Sequence, residues 1–100
     1  MITVFKVRAA SPATLETPHD LEITYTATAK ETVGLRVRPS PAMTIKHAET
    51  GKSEVTLPAS DVQRTETVKV ILGPRGTSNI EVEIIAEGTN SRERCFVHLA

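Results

Sequence analysis

The sequence predicts an all-β fold, an antiparallel sandwich of two sheets with seven or eight strands. Three observations predict it. Short segments alternate apolar and polar side chains with the period of two that a pleated strand requires. Clusters of Pro, Gly, Asn, Asp and Ser, which favour turns, separate these segments. No window of helical length carries apolar residues at three- and four-residue spacing.

The first predicted strand, residues 2–8, reverses its apolar parity between Val4 and Phe5, which indicates a β-bulge or a change of sheet. The second, residues 21–30, reads LEITYTATAK and is the most regular. Its Thr side chains suit a half-exposed pleat because they are β-branched. The parity predicted to face the interior holds Leu21, Ile23, Tyr25, Ala27 and Ala29.

The third predicted strand, residues 32–38, turns Arg36 and Arg38 outward. The remaining predicted strands are residues 43–47, 54–57, 67–72, 79–86 and 94–99. The stretch before the sixth strand, residues 59–67, is mostly polar on every side. We expect it to form at most one helical turn, capped by Ser60 or Asp61.

Length, charge and cysteine content narrow the class of protein. A chain of 100 residues fits a single domain, residues 1–100, and buries roughly 65% of its unfolded surface. Twelve basic residues balance twelve acidic ones, so we expect neither nucleic acid nor membrane as a partner. The single cysteine rules out a disulfide scaffold within the chain.

The N-terminal segment resembles neither a signal peptide nor a membrane span, because Lys6 and Arg8 interrupt its short apolar run. This leaves two expectations for location: an exported domain of a longer chain, or a free-standing cytoplasmic protein.

The last two predicted strands are expected to form a hairpin in which inward residues face inward residues. The register that satisfies this condition pairs Ile84 with Cys95, Val82 with Val97 and Ile80 with Leu99. The strand 32–38 is expected on the other side of strand 79–86. Its two arginines would then lie near outward Glu81 and Glu83, with Arg94 and His98 beyond.

Seven short alternating strands, an extended first segment containing proline and the closing hairpin NIEVEIIA-EGTNSRE-RCFVHL resemble the immunoglobulin-like accessory domains of bacteria. The resemblance covers the whole chain and implies an immunoglobulin-like sandwich. The Cys, Trp and second Cys typical of antibody domains are missing, since the chain has no Trp and one Cys.

A copper site is one alternative. Cys95 and His98 lie close together near the C-terminus, and His47 and Met43 lie upstream; blue-copper sites use two His, one Cys and a weak axial ligand. However, no Met follows His98, and strand geometry would turn Cys95 and His98 to opposite faces. We therefore expect no metal and no cofactor, with Cys95 buried and His98 on the surface.

Catalysis has little support in the sequence. No Gly-x-Ser-x-Gly motif is present, His19 is expected in a loop between Thr17-Pro18 and Asp20, and the three histidines are expected to be ordinary surface groups. Arg75, in the turn GPRG, could meet an anion or an acidic partner, but an arginine at a loop tip is usually only solvated. We therefore expect a protein that is not an enzyme.

The outward positions of the last hairpin suggest a contact surface. Ile85 and Phe96 both fall on the parity expected to be exposed, which leaves two alternatives: they form a small apolar patch, or a loop or the first strand covers them. The predicted surface comprises Ile85, Arg94, Phe96, His98, Arg36, Arg38 and Arg75. The sequence thus favours a non-catalytic module that acts as a spacer or contacts a protein partner or neighbouring domain. A self-assembling surface or coat subunit, with weak association of copies, is the third interpretation.

Overall fold

The computed structural model describes residues 1–38, 43–74 and 81–99, and these residues form eight β-strands and no helix. The strands are β1 (Ile2–Ala9), β2 (Pro18–Ala27), β3 (Glu31–Arg38), β4 (Thr44–His47), β5 (Glu54–Leu57), β6 (Ser60–Gly73), β7 (Glu81–Glu87) and β8 (Arg92–His98). Within the described ranges there is accordingly no helix that could span a membrane.

The strands form two antiparallel sheets of four. Sheet I has the order β1-β2-β6-β4, and sheet II has the order β5-β3-β7-β8. Each sheet turns one apolar face towards the other, and these two faces make a single aliphatic core. The all-β, two-sheet antiparallel prediction is therefore confirmed.

The regular strand of the sequence becomes β2, at the centre of this core. Leu21, Ile23 and Tyr25 are completely buried, as their parity predicted. The Tyr25 hydroxyl donates a hydrogen bond of 2.8 Å to the carbonyl of Pro58, which ties the connection between β5 and β6 to the core. The strand ends at Ala27, so the expectation that Ala29 faces the interior is wrong; that residue is exposed in the turn to β3.

The parity reversal in β1 is a β-bulge. Val4 pairs with Tyr25 and Lys6 pairs with Thr24, which leaves Phe5 as the additional residue. The bulge lets Val4 and Val7 both face the core although three positions separate them.

The stretch 59–67 is not a helical turn. Ser60 begins β6, which runs for 14 residues and pairs with β2 along most of its length. Residues 61–67 carry polar side chains on both faces, so they lack the alternation of apolar and polar residues that predicts a strand. Pairing with β2 makes this segment extended.

The two long sides of the sandwich differ. On the β1 and β8 side, the loop after β7 caps the free edge of β1: Ile2 N–H donates to Thr89 Oγ1 at 3.2 Å, and Val4 N–H donates to Ser91 Oγ at 2.7 Å. Further along, Ala13 N–H donates to the His98 carbonyl at 2.7 Å. Hydrogen bonds thus close this side.

On the opposite side, β4 and β5 are short. β4 pairs only with the last part of β6, from Val70 to Gly73, and β5 pairs only with the first part of β3, from Glu31 to Gly34. Part of β3 and part of β6 therefore have no strand neighbour on this side among the described residues.

Candidate contact surface

The outer face of sheet II gathers most of the predicted contact residues into adjacent rows. In one row, Arg36 of β3, Ile85 of β7 and Arg94 of β8 lie side by side. The antiparallel register that places them there is the one predicted for the hairpin: Ile84 pairs with Cys95, and Val82 pairs with Val97. The third predicted pair includes residue 80, which lies outside the described residues.

Ile85 is not exposed, which contradicts the alternative of an exposed apolar patch. Its exposure is 1%, yet it does not belong to the core cluster between the sheets. Its cross-strand neighbours are Arg36 and Arg94, and the apolar stems of long arginine side chains can cover a small aliphatic residue while their guanidinium groups stay in water. Ile85 is therefore the floor of the contact surface, and it is not part of an exposed apolar patch.

The next row holds Arg38, Glu83 and Phe96. The Phe96 side chain is 58% exposed, so neither a loop nor the first strand covers it. A large aromatic ring that is mostly in water on a flat sheet gives this face one prominent apolar contact point.

Glu83 lies between two arginines. Its Oε1 atom is 3.9 Å from Arg38 Nε, and its Oε2 atom is 3.8 Å from Arg94 Nη1. The side chain is only 14% exposed, and Oε1 has no hydrogen-bond partner among the described residues. Both distances exceed hydrogen-bonding range, so the charges attract each other without a fixed hydrogen-bond geometry.

The charge ladder continues to both ends of the face. Arg36 forms an ion pair with Glu87, and His98 Nε2 lies 3.5 Å from Glu81 Oε2. The sequence predicted that Arg36 would meet Glu81 or Glu83; the register instead brings it beside Glu87. Both pairs are largely exposed. The Arg36–Glu87 pair contributes about 0–1 kcal/mol and mainly orders the Arg36 side chain, whereas the His98–Glu81 contact is an ion pair only when His98 is protonated.

Arg92 of this face and Glu93, its neighbour on the opposite parity of β8, were missed by the sequence analysis. Arg92 and Glu93 join the lining of a surface depression of about 320 Å³. The depression is lined by Arg38, Glu83, Ile85, Arg92, Glu93 and Arg94. They were missed because β8 begins two residues before the predicted start. Arg92 shares the outward parity of Arg94, and this pattern could have placed it on the surface.

Arg75, the remaining predicted contact residue, lies outside the described residues.

The residues of the copper alternative are dispersed. Cys95 is half-buried against the core, whereas His98 is exposed on the outer face of the same strand. His47 lies in sheet I, where its Nδ1 atom is 3.3 Å from Thr50 Oγ1. Across residues 1–38, 43–74 and 81–99, no three His, Cys, Asp or Glu side chains are grouped to hold a metal ion.

The Cys95 thiol is a poor nucleophile in this setting. Burial raises its pKa, and a hydrogen bond with the backbone of Ala9 offsets part of that increase. Since the thiolate is the reactive form, a raised pKa disfavours it near neutral pH.

His19 differs from its sequence expectation as a surface loop residue. It lies within β2, its two ring nitrogens are buried, and neither has a hydrogen-bond partner in the described part of the chain. Burial lowers its pKa, with a smaller opposing effect from Asp20.

Comparison with known proteins gives no match. No protein-family model matches the chain, and no curated protein or solved structure matches it significantly.

Proposed function

We propose that this chain is a non-catalytic, immunoglobulin-like module that presents the outer face of sheet II to a protein partner or a neighbouring domain. The observation that carries the proposal is the exposed Phe96 ring, which lies among arginine and glutamate side chains on this face. Aromatic and arginine residues are enriched in protein interfaces.

The strand order supports the immunoglobulin-like part of this proposal. Sheet I, β1-β2-β6-β4, corresponds to the A-B-E-D order of that fold, and β3-β7-β8 corresponds to C-F-G. β5 is an additional strand, which pairs with β3 after the chain has already visited sheet I as β4. This connection differs from the usual chain order, so the module is a variant of the class.

Photo-crosslinking tests the contact surface. Phe96 is replaced by photoreactive benzoylphenylalanine in cells that produce the protein; the matched control carries the same replacement at Phe5, a 46% exposed ring in sheet I. We expect a discrete adduct with one other protein, or with a neighbouring domain of the same polypeptide, from position 96 and not from position 5.

The same experiment addresses the self-assembling subunit, which the exposed Phe96 also favours. An adduct between two copies, together with concentration-dependent oligomers that weaken in Phe96→Ser, would replace the partner proposal with self-assembly. Equal labelling from both positions, or none from position 96, would contradict a dedicated contact surface on sheet II and leave only a spacer role.

A further inference from the structure

A groove of about 440 Å³ lies on the side of the sandwich where β4 and β5 are short. Four consecutive residues of β3, from 35 to 38, line it on one side, and residues 43–45 line it on the other. Successive residues of a strand point to opposite faces, so a lining made of consecutive residues means that the groove follows the edge of β3.

Beyond Leu35, the backbone of β3 is unpaired along this edge in the described residues. β5 pairs with β3 only as far as Gly34, and Leu35 N–H donates to the carbonyl of Ser53 at 2.8 Å. Backbone groups of alternate residues point to the same side of a strand, so the N–H and C=O of Val37 point into the groove. No residue within the described ranges pairs with Val37 there; residues 39–42 are outside those ranges.

The two sides of the groove differ in chemistry. Towards the core it is lined by the apolar side chains of Leu35, Val37, Met43 and Ile45. Towards the outer face of sheet II it is lined by Arg36 and Arg38, and no acidic residue belongs to its described lining. Arg36 pairs with Glu87. Arg38 and Arg94, however, share the single carboxylate of Glu83, so among the described residues one positive charge is left over beside the groove. A strand placed in the groove would therefore meet apolar side chains on one face and positive charge on the other.

We propose that the groove binds an extended segment of a protein partner, in which apolar residues alternate with acidic residues, by adding it to sheet II beside β3. The N–H and C=O of Val37 supply backbone hydrogen bonds, and alternate side chains of the segment occupy the apolar groove, as in other cases of strand addition. The acidic residues lie across from Arg36 and Arg38, where opposite charges on neighbouring strands stabilise pairing. This site is separate from Phe96 and does not depend on the crosslinking result.

The test uses a blocked heptapeptide of alternating Glu and Val as the probe, with an alternating Lys and Val peptide as the charge control. Binding is followed by amide chemical shifts and by hydrogen exchange of the ¹⁵N-labelled protein. We expect the Glu–Val peptide to slow exchange of the Val37 amide by at least about tenfold. The Lys–Val peptide should have little effect.

Two double variants separate the groove from the rest of the charged face. Arg36→Gln with Arg38→Gln keeps side-chain bulk and removes the charges beside the groove, and should weaken the peptide about threefold to tenfold. The matched control, Arg92→Gln with Arg94→Gln, removes two charges from β8 of the same face and should bind nearly as the unmodified protein does.

Three results would overturn the proposal. Strong protection of the Val37 amide without peptide would mean that this edge is already occupied within the chain. The same protection appearing with a dimer in light scattering would identify a second copy as the occupant. Peptide shifts that map away from residues 35–38, or equal affinity in both double variants, would show that this edge is not the binding site.

Discussion

Ile84 and Ile85 are neighbours in β7 that are buried by different surroundings. Ile84 lies in the core between the sheets, whereas Ile85 lies on the outer face of sheet II, between Arg36 and Arg94 in the pairing register. Both residues are almost fully buried, so substitutions at the two positions compare the packing of the core with the packing of the outer face of sheet II.

We expect Ile84→Ala to lower the free energy of unfolding by about 3–4 kcal/mol, because it leaves a cavity that the two sheets cannot close. Ile85→Ala should cost about 1–2 kcal/mol, because flexible arginine stems can collapse into the space. Urea denaturation of the two variants measures the difference. Equal losses would mean that the outer layer is as tightly packed as the core.

His19 is expected to make stability depend on pH. Its pKa in the folded state is lowered from its ordinary value of 6.5 mainly by burial, with Asp20 opposing and Lys69 assisting the decrease. Between the lowered pKa and 6.5, the unfolded chain binds more protons than the folded one. The contribution of His19 is therefore fully present above pH 6.5 and is lost as the pH falls towards the lowered pKa.

The measurement is the free energy of unfolding between about pH 7.5 and about pH 5.5, for the unmodified protein and for His19→Gln. The unmodified protein should lose stability on acidification more steeply than the variant does. An identical slope in both proteins would show that His19 is protonated as easily when folded as when unfolded.

The edge strands of the two sheets are protected in different ways. The loop from Gly88 to Ser91 lies against β1 and satisfies its free N–H groups with hydroxyl oxygens. Gly88 allows this close approach, since a Cβ added there would lie 2.9 Å from the Ile2 carbonyl oxygen and 3.0 Å from Ser91 Oγ.

We expect Gly88→Ala to destabilise the protein by about 1–3 kcal/mol, because the loop must move away from β1. Gly34→Ala in β3 is the matched control, since an added Cβ there meets no atom within 4 Å. That change should be neutral or stabilise by about 0.4–1 kcal/mol, because Ala restricts the unfolded chain more than Gly does. Thermal unfolding of both variants tests this; a harmless Gly88→Ala would contradict the tight contact.

The first half of β6 is protected differently. Arg64 and Glu66 occupy the parity that faces inward elsewhere in β6, yet both are partly exposed and form an ion pair. Charges at inward positions of an exposed strand edge discourage pairing with another chain. A further irregularity between Tyr25 and Ala27 disturbs the start of the same edge.

Replacing both charges, Arg64→Val with Glu66→Val, should promote association through this edge. We expect concentration-dependent oligomers in light scattering, because the change leaves a longer apolar strand without a neighbour in the described residues. Arg64→Lys with Glu66→Asp keeps both charges and should behave as the unmodified protein does. A double valine variant that scatters light like that control would show that the charges have no protective role.

At the scale of the whole molecule, the sandwich is closed on one side and open on the other. Hydrogen bonds join β1 and its following segment to the β7–β8 loop and to β8, whereas β4 and β5 each cover part of one neighbour. Local opening should therefore begin on the β4 and β5 side.

Hydrogen exchange under native conditions tests this asymmetry. The Lys69 carbonyl accepts a hydrogen bond from the Ala48 N–H on the β4 side, so by alternation the amides of Thr65 and Thr67 point to the same, uncovered side. Their exchange should be at least about tenfold faster than exchange of the Val4 and Ala13 amides, which have acceptors on the closed side. Comparable rates would mean that both sides open together.

The amino-acid sequence was sufficient to predict the all-β class, an irregularity in β1 that is either a bulge or a change of sheet, and the pairing register of the last hairpin. These features follow from the alternation of apolar and polar side chains along each segment, which can be read from the residues of that segment alone.

Three features needed the three-dimensional structure: the polar segment 60–67 is a strand, Ile85 is buried, and Arg36 meets Glu87. The position of the groove beside β3 also needed that structure. Each of these features depends on which strands become neighbours and on how far each neighbour extends. The residues of one strand do not specify the length or position of another strand.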